Sequence, residues 1–190
     1  KLFLVRFHPH VSANPNYNPQ QSAYRRGYST ETALTGLLDD VYTAADNDQA
    51  TVLLSLDLSA VCDTIDHLIL AERLRVSFCV TGPALDWIVS YLADRSQRVQ
   101  IGTVMTSPSP CLFGVPQGSV LGPILFAAYV SPTAKIAESH GTCQQQYADD
   151  TQLYIFLSFA TLTTLPPPFM FFFSSVMVHP QRSLSKPIRS

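Results

Sequence analysis

The clearest structural pattern in this sequence is the stretch CQQQYADDTQLYIFL, residues 143–157. It contains two strand-like runs, residues 143–147 and 151–157, on either side of a short acidic turn. This pattern predicts a β-hairpin that presents Asp149 and Asp150 at its tip. Because adjacent carboxylates repel each other, a bound cation is a natural reason to place them together. Paired aspartates are also common at turns for local reasons, so the motif alone leaves both interpretations open.

A third carboxylate ends another strand-like run far upstream. Residues 52–57 read VLLSLD, an apolar run that closes on Asp57, 92 positions before Asp149 (149 − 57). Carboxylate oxygens and substrate phosphates are the ligands that Mg²⁺ prefers. Two such ions about 3.5–4 Å apart can stabilise the attacking and leaving oxygens of a phosphoryl transfer. The alternative is that Asp57 caps a helix and the acidic pair is a solvated turn.

Four segments, taken in chain order, carry a family resemblance. They are residues 21–30 (QSAYRRGYST), 56–67 (LDLSAVCDTIDH), 114–126 (GVPQGSVLGPILF) and 147–150 (YADD). They resemble, respectively, the fingers motif, the first catalytic motif, the nucleotide- and template-contacting motif and the second catalytic motif of reverse transcriptases. The closest resemblance is to the enzymes of non-LTR (LINE-type) retrotransposons, and it covers roughly residues 12–157. We expect an RNA-directed DNA polymerase activity from this resemblance.

The resemblance assigns catalysis to Asp57, Asp149 and Asp150. These residues would hold two Mg²⁺ ions, with Mn²⁺ as an expected substitute and the Leu58 backbone as a further ligand. One ion would lower the pKa of the primer 3′-hydroxyl, and the other would bind the incoming deoxynucleoside triphosphate. The implied partners are therefore an RNA template, a DNA primer and deoxynucleotides.

The resemblance also assigns residues to substrate binding. Those expected at the nucleotide are Arg25, Arg26, Leu58, Ser59, Cys62, Gln117 and Gly118. Tyr147 and Pro116 are expected beside the primer and the template. A guanidinium fork suits phosphate oxygens, although two adjacent arginines can equally form a solvated surface. Glycine permits a close backbone approach to a ligand.

Three further residues of the second segment are expected to have structural roles. Asp63, Asp66 and His67 lie just beyond Asp57, where a polar side chain can cap the following helix. His67 is a poor candidate for a magnesium ligand, because this ion prefers hard oxygen donors.

Several positions depart from the family pattern. Position 62 usually carries a bulky aromatic residue that blocks a 2′-hydroxyl, so Cys62 puts discrimination against ribonucleotides in doubt. Val61 replaces a usual alanine, and Tyr28 stands where histidine is common. These departures indicate a truncated or degenerate copy of a retrotransposon.

Composition supports a folded domain with little intrinsic affinity for nucleic acid. Of the 190 residues, 46% are hydrophobic and 14% are charged, and the formal net charge is −2. Because phosphate neutralisation by Lys and Arg supplies most nucleic-acid affinity, we do not expect strong independent binding. The four cysteines form no Cys-x-x-Cys pair, which argues against a zinc site.

The predicted fold is α/β (α+β), with a fingers–palm arrangement, a split βαβ (ferredoxin-like) palm and no thumb. Residues 1–20 are predicted to be an extended segment, 21–157 the partial reverse transcriptase domain, and 158–190 an irregular, low-charge tail. The tail contains three consecutive prolines, which argue against a membrane span, so no membrane partner is expected. An endonuclease and a thumb would belong to a longer parent protein. No targeting signal is seen, so the sequence itself leaves the localisation unknown; the family resemblance implies nuclear and cytoplasmic locations.

Local signals predict the individual elements. A helix capped by Ser29 or Thr30 should run to about Ala45, and another should follow Ile65. Pro83 should begin a third helix that buries Trp87, and Gly118 a fourth. Residues 51–58 and 98–101 should be strands.

Two further functions compete with an active polymerase. One is a catalytically inactive remnant that binds nucleic acid weakly or not at all. The other is a different two-metal enzyme, such as a nucleotide cyclase, against which residues 116–118 and the fingers motif argue.

Overall fold

The computed structural model describes residues 2–57, 61–116 and 118–158, with the side chains of Val61 and Cys62 outside the description. The helices are α1 (Leu2–Ser12), α2 (Thr30–Asp46), α3 (Val61–Thr64), α4 (His67–Val76), α5 (Pro83–Leu92), α6 (Gly122–Val130) and α7 (Pro132–Ser139). The strands are β1 (Gln49–Asp57), β2 (Ser96–Gln97), β3 (Gln100–Ile101), β4 (Val104–Met105), β5 (Ser109–Pro110), β6 (Cys143–Tyr147) and β7 (Asp150–Ser158).

The central sheet has three strands in the order β1-β7-β6, and both pairings are antiparallel. The predicted hairpin is confirmed as β6 and β7, joined by the two residues Ala148 and Asp149. The predicted strand at 51–58 is confirmed as β1, which begins at Gln49 and ends at Asp57. Two smaller two-stranded sheets, β2-β5 and β3-β4, lie between α5 and α6 in the chain.

Helices cover the two faces of the central sheet. Leu56 and Leu153 pack with Ala137 of α7 on one face. The next side chain along β7, Tyr154, points the opposite way because strand side chains alternate. Its hydroxyl donates a hydrogen bond to Asp40 Oδ2 of α2 at 2.5 Å. The sheet is therefore held between α7 and α2.

The larger apolar core lies around α6, where Gly122 and every residue from Ile124 to Val130 are buried. Helices α1, α4 and α5 surround it and contribute Phe7, Val11, Leu70, Leu74, Ile88 and Leu92. A buried cation also belongs to this core. Arg73 Nη1 donates to the carbonyl of Tyr129 near the end of α6, and the guanidinium lies 5.0 Å from the Tyr129 ring centroid. Burial lowers the pKa of Arg73 to about 10.

Two helix starts follow their local signals. Ser29 is the N-cap of α2: its Oγ accepts from Thr32 N, and Thr32 Oγ1 accepts from Ser29 N, which completes a capping box. Pro83 stands in the first turn of α5, where its missing N–H costs nothing. Of the described helices, none combines the length and apolarity needed to cross a membrane.

The prediction of an extended segment over residues 1–20 is wrong for its first half. Leu2–Ser12 forms α1, with Pro9 inside the helix. Phe3, Phe7 and Val11 recur every four residues and pack against the core around α6. This tertiary packing outweighs the backbone hydrogen bond that Pro9 removes.

Other boundaries also differ from the predictions. The helix expected from Gly118 begins at Gly122, because Ser119 Oγ accepts from Gly122 N and ends the preceding loop. Of the strand expected at 98–101, only Gln100–Ile101 forms a strand, β3, while residues 98 and 99 lie between β2 and β3; the apolar Val99 and Ile101 are both exposed. Trp87, expected in the core, is 44% exposed while its ring packs against those of Phe3 and Tyr91.

The helix expected after Ile65 begins at His67, and the short α3 precedes it. Helix α7 was not anticipated from the sequence at all. It begins with Pro132, two residues after the end of α6. With so short a break, the apolar pattern of the two helices does not show where one ends and the next begins.

Replacing Tyr154 with Phe should weaken the link between β7 and α2. Loss of the hydrogen bond to Asp40 should cost about 1–2 kcal/mol in the free energy of unfolding at pH 7. Burial, and then the Asp40 carboxylate, raise the pKa of Tyr154 above its ordinary value. The folded state therefore holds this proton more firmly than the unfolded state, and the wild type should lose stability as the pH rises above about 10.

Urea unfolding at pH 7 and near pH 11 measures both effects. The variant should lose less stability than the wild type between these two pH values. Tyr42→Phe, at an exposed position of α2, is the matched control and should leave both values unchanged. Equal losses in the two variants would contradict the role given to the Tyr154–Asp40 bond.

Candidate active site

Three carboxylates lie at one end of the central sheet. Asp57 is the last residue of β1, Asp150 is the first of β7, and Asp149 lies in the turn between β6 and β7. The register pairs Asp57 directly with Asp150, and Asp150 in turn with Tyr147. Strand pairing therefore brings Asp57 and Asp149, which are 92 positions apart in the chain (149 − 57), to the same end of the sheet. This end is called the acidic edge.

This edge concentrates negative charge. Asp57 and Asp150 are exposed and Asp149 is half-buried. Like charges directly opposite each other on neighbouring strands are destabilising, so the sheet tolerates a local repulsion here. Carboxylate oxygens are suitable donors for Mg²⁺. Across residues 2–57, 61–116 and 118–158, however, no group of three or more His, Cys, Asp or Glu side chains is arranged to hold a metal ion.

The outer edge of the hairpin is covered by the segment that precedes α2. Gln146 N donates to Gln20 O at 3.0 Å, and Ser22 N donates to Gln146 O at 2.8 Å. These two bonds form a parallel bridge that lays the start of the predicted fingers motif alongside β6. The acidic turn is thus supported from both sides, by β1 and by this segment.

The loop that follows β5 is tied to the start of α4. Gly114 N donates to Ile65 O at 2.8 Å, and His67 Nε2 lies 2.7 Å from Gly114 O. Asp66 caps α4 by accepting from the backbone N–H groups of Leu68 and Ile69. The structural role expected for Asp66 is confirmed, and His67 contacts the loop backbone.

The same loop borders a cleft. Pro116 lines a cavity of about 670 Å³ together with Asp63, Arg95 and Phe113. Gly118 has φ +73°, and a Cβ built there would meet no protein atom within 4 Å. The backbone conformation therefore favours glycine, and the space beside it is open.

Arg25 is held against the protein by its backbone and aromatic neighbours. Its Nη1 donates to Pro19 O at 2.8 Å, and its guanidinium lies 4.6 Å from the ring centroid of Tyr28. Tyr28, one of the departures from the family pattern, thus serves as a stacking partner for this arginine. Arg26 is exposed.

Several predicted site residues lie outside the described residues. They are Leu58, Ser59, Gln117 and the side chain of Cys62. Their expected contacts with a nucleotide stay predictions. Gln21 was not predicted as a site residue, but it lies at the turn, where its side chain contacts the backbone of Ala148. The only signal in the sequence was its position at the head of the fingers motif.

Comparison with protein families adds a decisive observation. Residues 1–157 match the family described as reverse transcriptase (RNA-dependent DNA polymerase). The chain belongs to the reverse transcriptase family. The match includes α1, so the family domain extends beyond the segment that the four motifs delimit.

Similar proteins agree with this membership. The reverse transcriptase chain is 29% identical over 129 residues to the probable RNA-directed DNA polymerase from transposon X-element of Drosophila melanogaster, covering 68% of this chain and 14% of the relative. It is 29% identical over 138 residues to the corresponding protein from transposon BS (70% and 15% covered). It is 30% identical over 138 residues to the RNA-directed DNA polymerase from mobile element jockey (69% and 15% covered). The transposon BS and jockey proteins are also from Drosophila melanogaster.

These relatives confirm the resemblance to non-LTR retrotransposon reverse transcriptases. The chain spans only 14–15% of their length.

Among solved structures, a chain of a partial Cas6-RT-Cas1–Cas2 complex is similar over 83% of this chain and 27% of its own length, with 20% identity and a TM-score of 0.34.

Replacing Asp150 with Asn should stabilise the protein when divalent cations are absent. The change removes the charge directly opposite Asp57, so the free energy of unfolding should rise by several tenths of a kcal/mol, up to about 1 kcal/mol. Urea unfolding in the presence of EDTA measures this difference. Asp39→Asn, an equal change of charge at an exposed position of α2, is the control. A similar gain in both variants would show that net charge, and not the cross-strand pair, is responsible.

Proposed function

We propose that this chain is the fingers–palm part of an RNA-directed DNA polymerase, with its active site at the acidic sheet edge. The observation that carries the proposal is the register that sets Asp57 against Asp150, beside the turn that holds Asp149, in a chain of the reverse transcriptase family. The fold would correspond to a split βαβ palm, in which β1 and the hairpin of β6 and β7 form the catalytic sheet. Residues 21–157 would be the core of this domain, and β7 carries it on to Ser158. The tail expected at 158–190 lies, from residue 159 onward, outside the described residues.

The three carboxylates would hold two Mg²⁺ ions, for which Mn²⁺ would substitute, with the Leu58 backbone as a further ligand. Carboxylate oxygens are the donor type that these cations prefer, and the repulsion between Asp57 and Asp150 is a cost that a bound cation would offset by drawing the side chains together. When bound, such a metal pair would acidify the primer 3′-hydroxyl and neutralise the charge of the triphosphate. The chain itself would supply fixed positions for the charges, which is most of what catalysis of this kind requires.

The substrates would be an RNA template, a DNA primer and deoxynucleotides. Arg25 would contact the triphosphate, since its guanidinium carries further N–H donors beyond those that the Pro19 carbonyl uses. Stacking on Tyr28 already restricts the Arg25 side chain, so less conformational entropy would be lost when Arg25 binds the triphosphate. Arg26, which is exposed, would add positive charge nearby.

The loop around the 670 Å³ cleft would receive the nucleotide and the templating base. Gly118 leaves open space at this loop, and Pro116 lines the cleft. Gln117 would border the base. Ser59 and Cys62 would lie beside the triphosphate and the sugar, and Tyr147, at the end of β6, would flank the primer terminus.

One feature favours a second candidate, an inactive remnant. The net charge of −2 gives little electrostatic attraction for nucleic acid. A thumb and an endonuclease, if the parent protein carries them, would have to come from other segments. An activity assay with site variants separates the two candidates.

Asp149→Asn should abolish primer extension. Purified protein with an RNA template, a DNA primer, deoxynucleotides and Mg²⁺ should extend the primer, and the variant should be at least about 100-fold slower because it loses a charged ligand. Asp39→Asn is the control for a change of one charge, and circular dichroism checks that each variant folds. Extension that persists in Asp149→Asn would contradict the assignment of this carboxylate. A wild type that folds but does not extend the primer would support the second candidate, the inactive remnant.

Cys62→Phe should increase selection against ribonucleotides. A bulky ring at this position would occupy the space of a 2′-hydroxyl, and such a contact changes discrimination by about 10- to 200-fold. The measurement is the ratio of kcat/KM for a deoxynucleotide to that for the matching ribonucleotide. Cys79→Phe, at an exposed position outside the motif, controls for the loss of a thiol and the gain of a ring. An unchanged ratio would show that position 62 does not contact the sugar.

A further inference from the structure

The side chain of Gln21 holds both backbone groups of one turn residue. Gln21 is fully buried. Its Oε1 accepts from Ala148 N at 2.9 Å, and its Nε2 donates to Ala148 O at 3.0 Å. The same Oε1 accepts from Ala23 N at 3.1 Å, which orients the amide group within its own segment. Exchanging the amide oxygen and nitrogen would set donor against donor, so the bonds define one orientation.

Ala148 has a conformation that needs such support. It is the first of the two residues in the turn between β6 and β7, and its φ is +56°. Positive φ at this position of a two-residue hairpin turn is usually supplied by glycine. Alanine adopts it at a steric cost, because its Cβ approaches the following carbonyl. The bonds from Gln21 favour the conformation that the alanine side chain opposes.

The neighbouring hydrogen bonds show that Gln21 does more than attach its segment to β6. Gln145 Nε2 donates to Ser22 Oγ, and Asn18 Nδ2 donates to Gln146 Oε1, so neighbouring polar side chains already join the segment to β6. Gln21 differs from them because it reaches past the strand to the turn. The residue after Ala148 is Asp149, so the backbone that Gln21 holds directs the candidate catalytic carboxylate.

We propose that Gln21 is a positioning residue, which clamps Ala148 in its left-handed conformation and thereby sets the direction of the Asp149 carboxylate. This proposal rests on the proposed function, in which Asp149 is a metal ligand. Residues that orient metal ligands typically contribute about 10- to 100-fold to metal affinity or activity. The clamp spans 127 positions of the chain, so it also makes the site depend on docking of the segment before α2.

The first measurement is backbone hydrogen exchange in the full chain. Gln21→Met keeps the approximate volume and removes both bonds, so the Ala148 amide should exchange at least about 10-fold faster relative to that of Leu153 in β7. Gln145→Met, which removes a neighbouring buried amide without touching the turn, should show no selective change at Ala148. The clamp is refuted if Ala148 exchanges equally in the wild type and both variants. Gln21→Asn, one methylene shorter, serves the same test should the Met variant not fold.

The second measurement is Mn²⁺ affinity, followed by electron paramagnetic resonance. Gln21→Met should bind Mn²⁺ at least about 10-fold more weakly than the wild type, while Gln145→Met should bind normally. Adding Ala148→Gly to Gln21→Met should recover part of the affinity, because glycine adopts positive φ without support. A purely structural role for Gln21 would not be relieved by a change at position 148.

The outcomes distinguish the two proposals. A wild type that binds Mn²⁺ no better than Asp149→Asn would overturn the proposed metal site. A wild type that binds Mn²⁺ well, with Gln21→Met unchanged, would overturn only the positioning role. Selective exchange at Ala148 together with weakened binding and recovery by Ala148→Gly would support both.

Discussion

The antiparallel pairing of β1 with β7 is the constraint on which the rest of the site depends. Nine consecutive residue pairs join the strands, from Gln49 with Ser158 to Asp57 with Asp150. Because strand side chains alternate, a slip of one residue would turn Leu56 and Leu153 away from α7 and would move the carboxylates out of register. The packing of the small core therefore fixes the separation of the acidic residues, and the same burial that stabilises the sheet assembles the site.

Polar side chains solve a second problem, the exposed edge of β6. An uncovered edge strand is prone to pairing with other chains, and here residues 18–22 cover it. The contacts are made by Asn, Gln and Ser side chains, which can be buried at modest cost when their hydrogen bonds are satisfied. Acidic residues in the same places would add repulsion beside Asp149 and Asp150. The run of three glutamines in β6 thus has a physical reason, since it joins the edge without adding charge.

The loop that lines the cleft is held by the larger core. The sheet carries the acidic residues, and the core around α6 carries this loop. Ile65 and His67, which follow β1 in the chain, contact the backbone of Gly114 in the loop. One basic residue, Arg73, is committed to the core through the carbonyl of Tyr129, so it contributes to folding and not to substrate attraction.

Local sequence patterns predict much of this fold. The hairpin, β1, the capping box at Ser29 and the start of α5 at Pro83 each follow from neighbouring residues, and four short motifs led to the family. Long-range packing decided the remainder: α1 forms because Phe7 and Val11 find a core, in spite of Pro9. The opposition of Asp57 to Asp150, and the reach of Gln21 to Ala148, join positions about a hundred residues apart. Periodicity and capping report interactions within a few residues, whereas these contacts exist only after the chain has closed on itself.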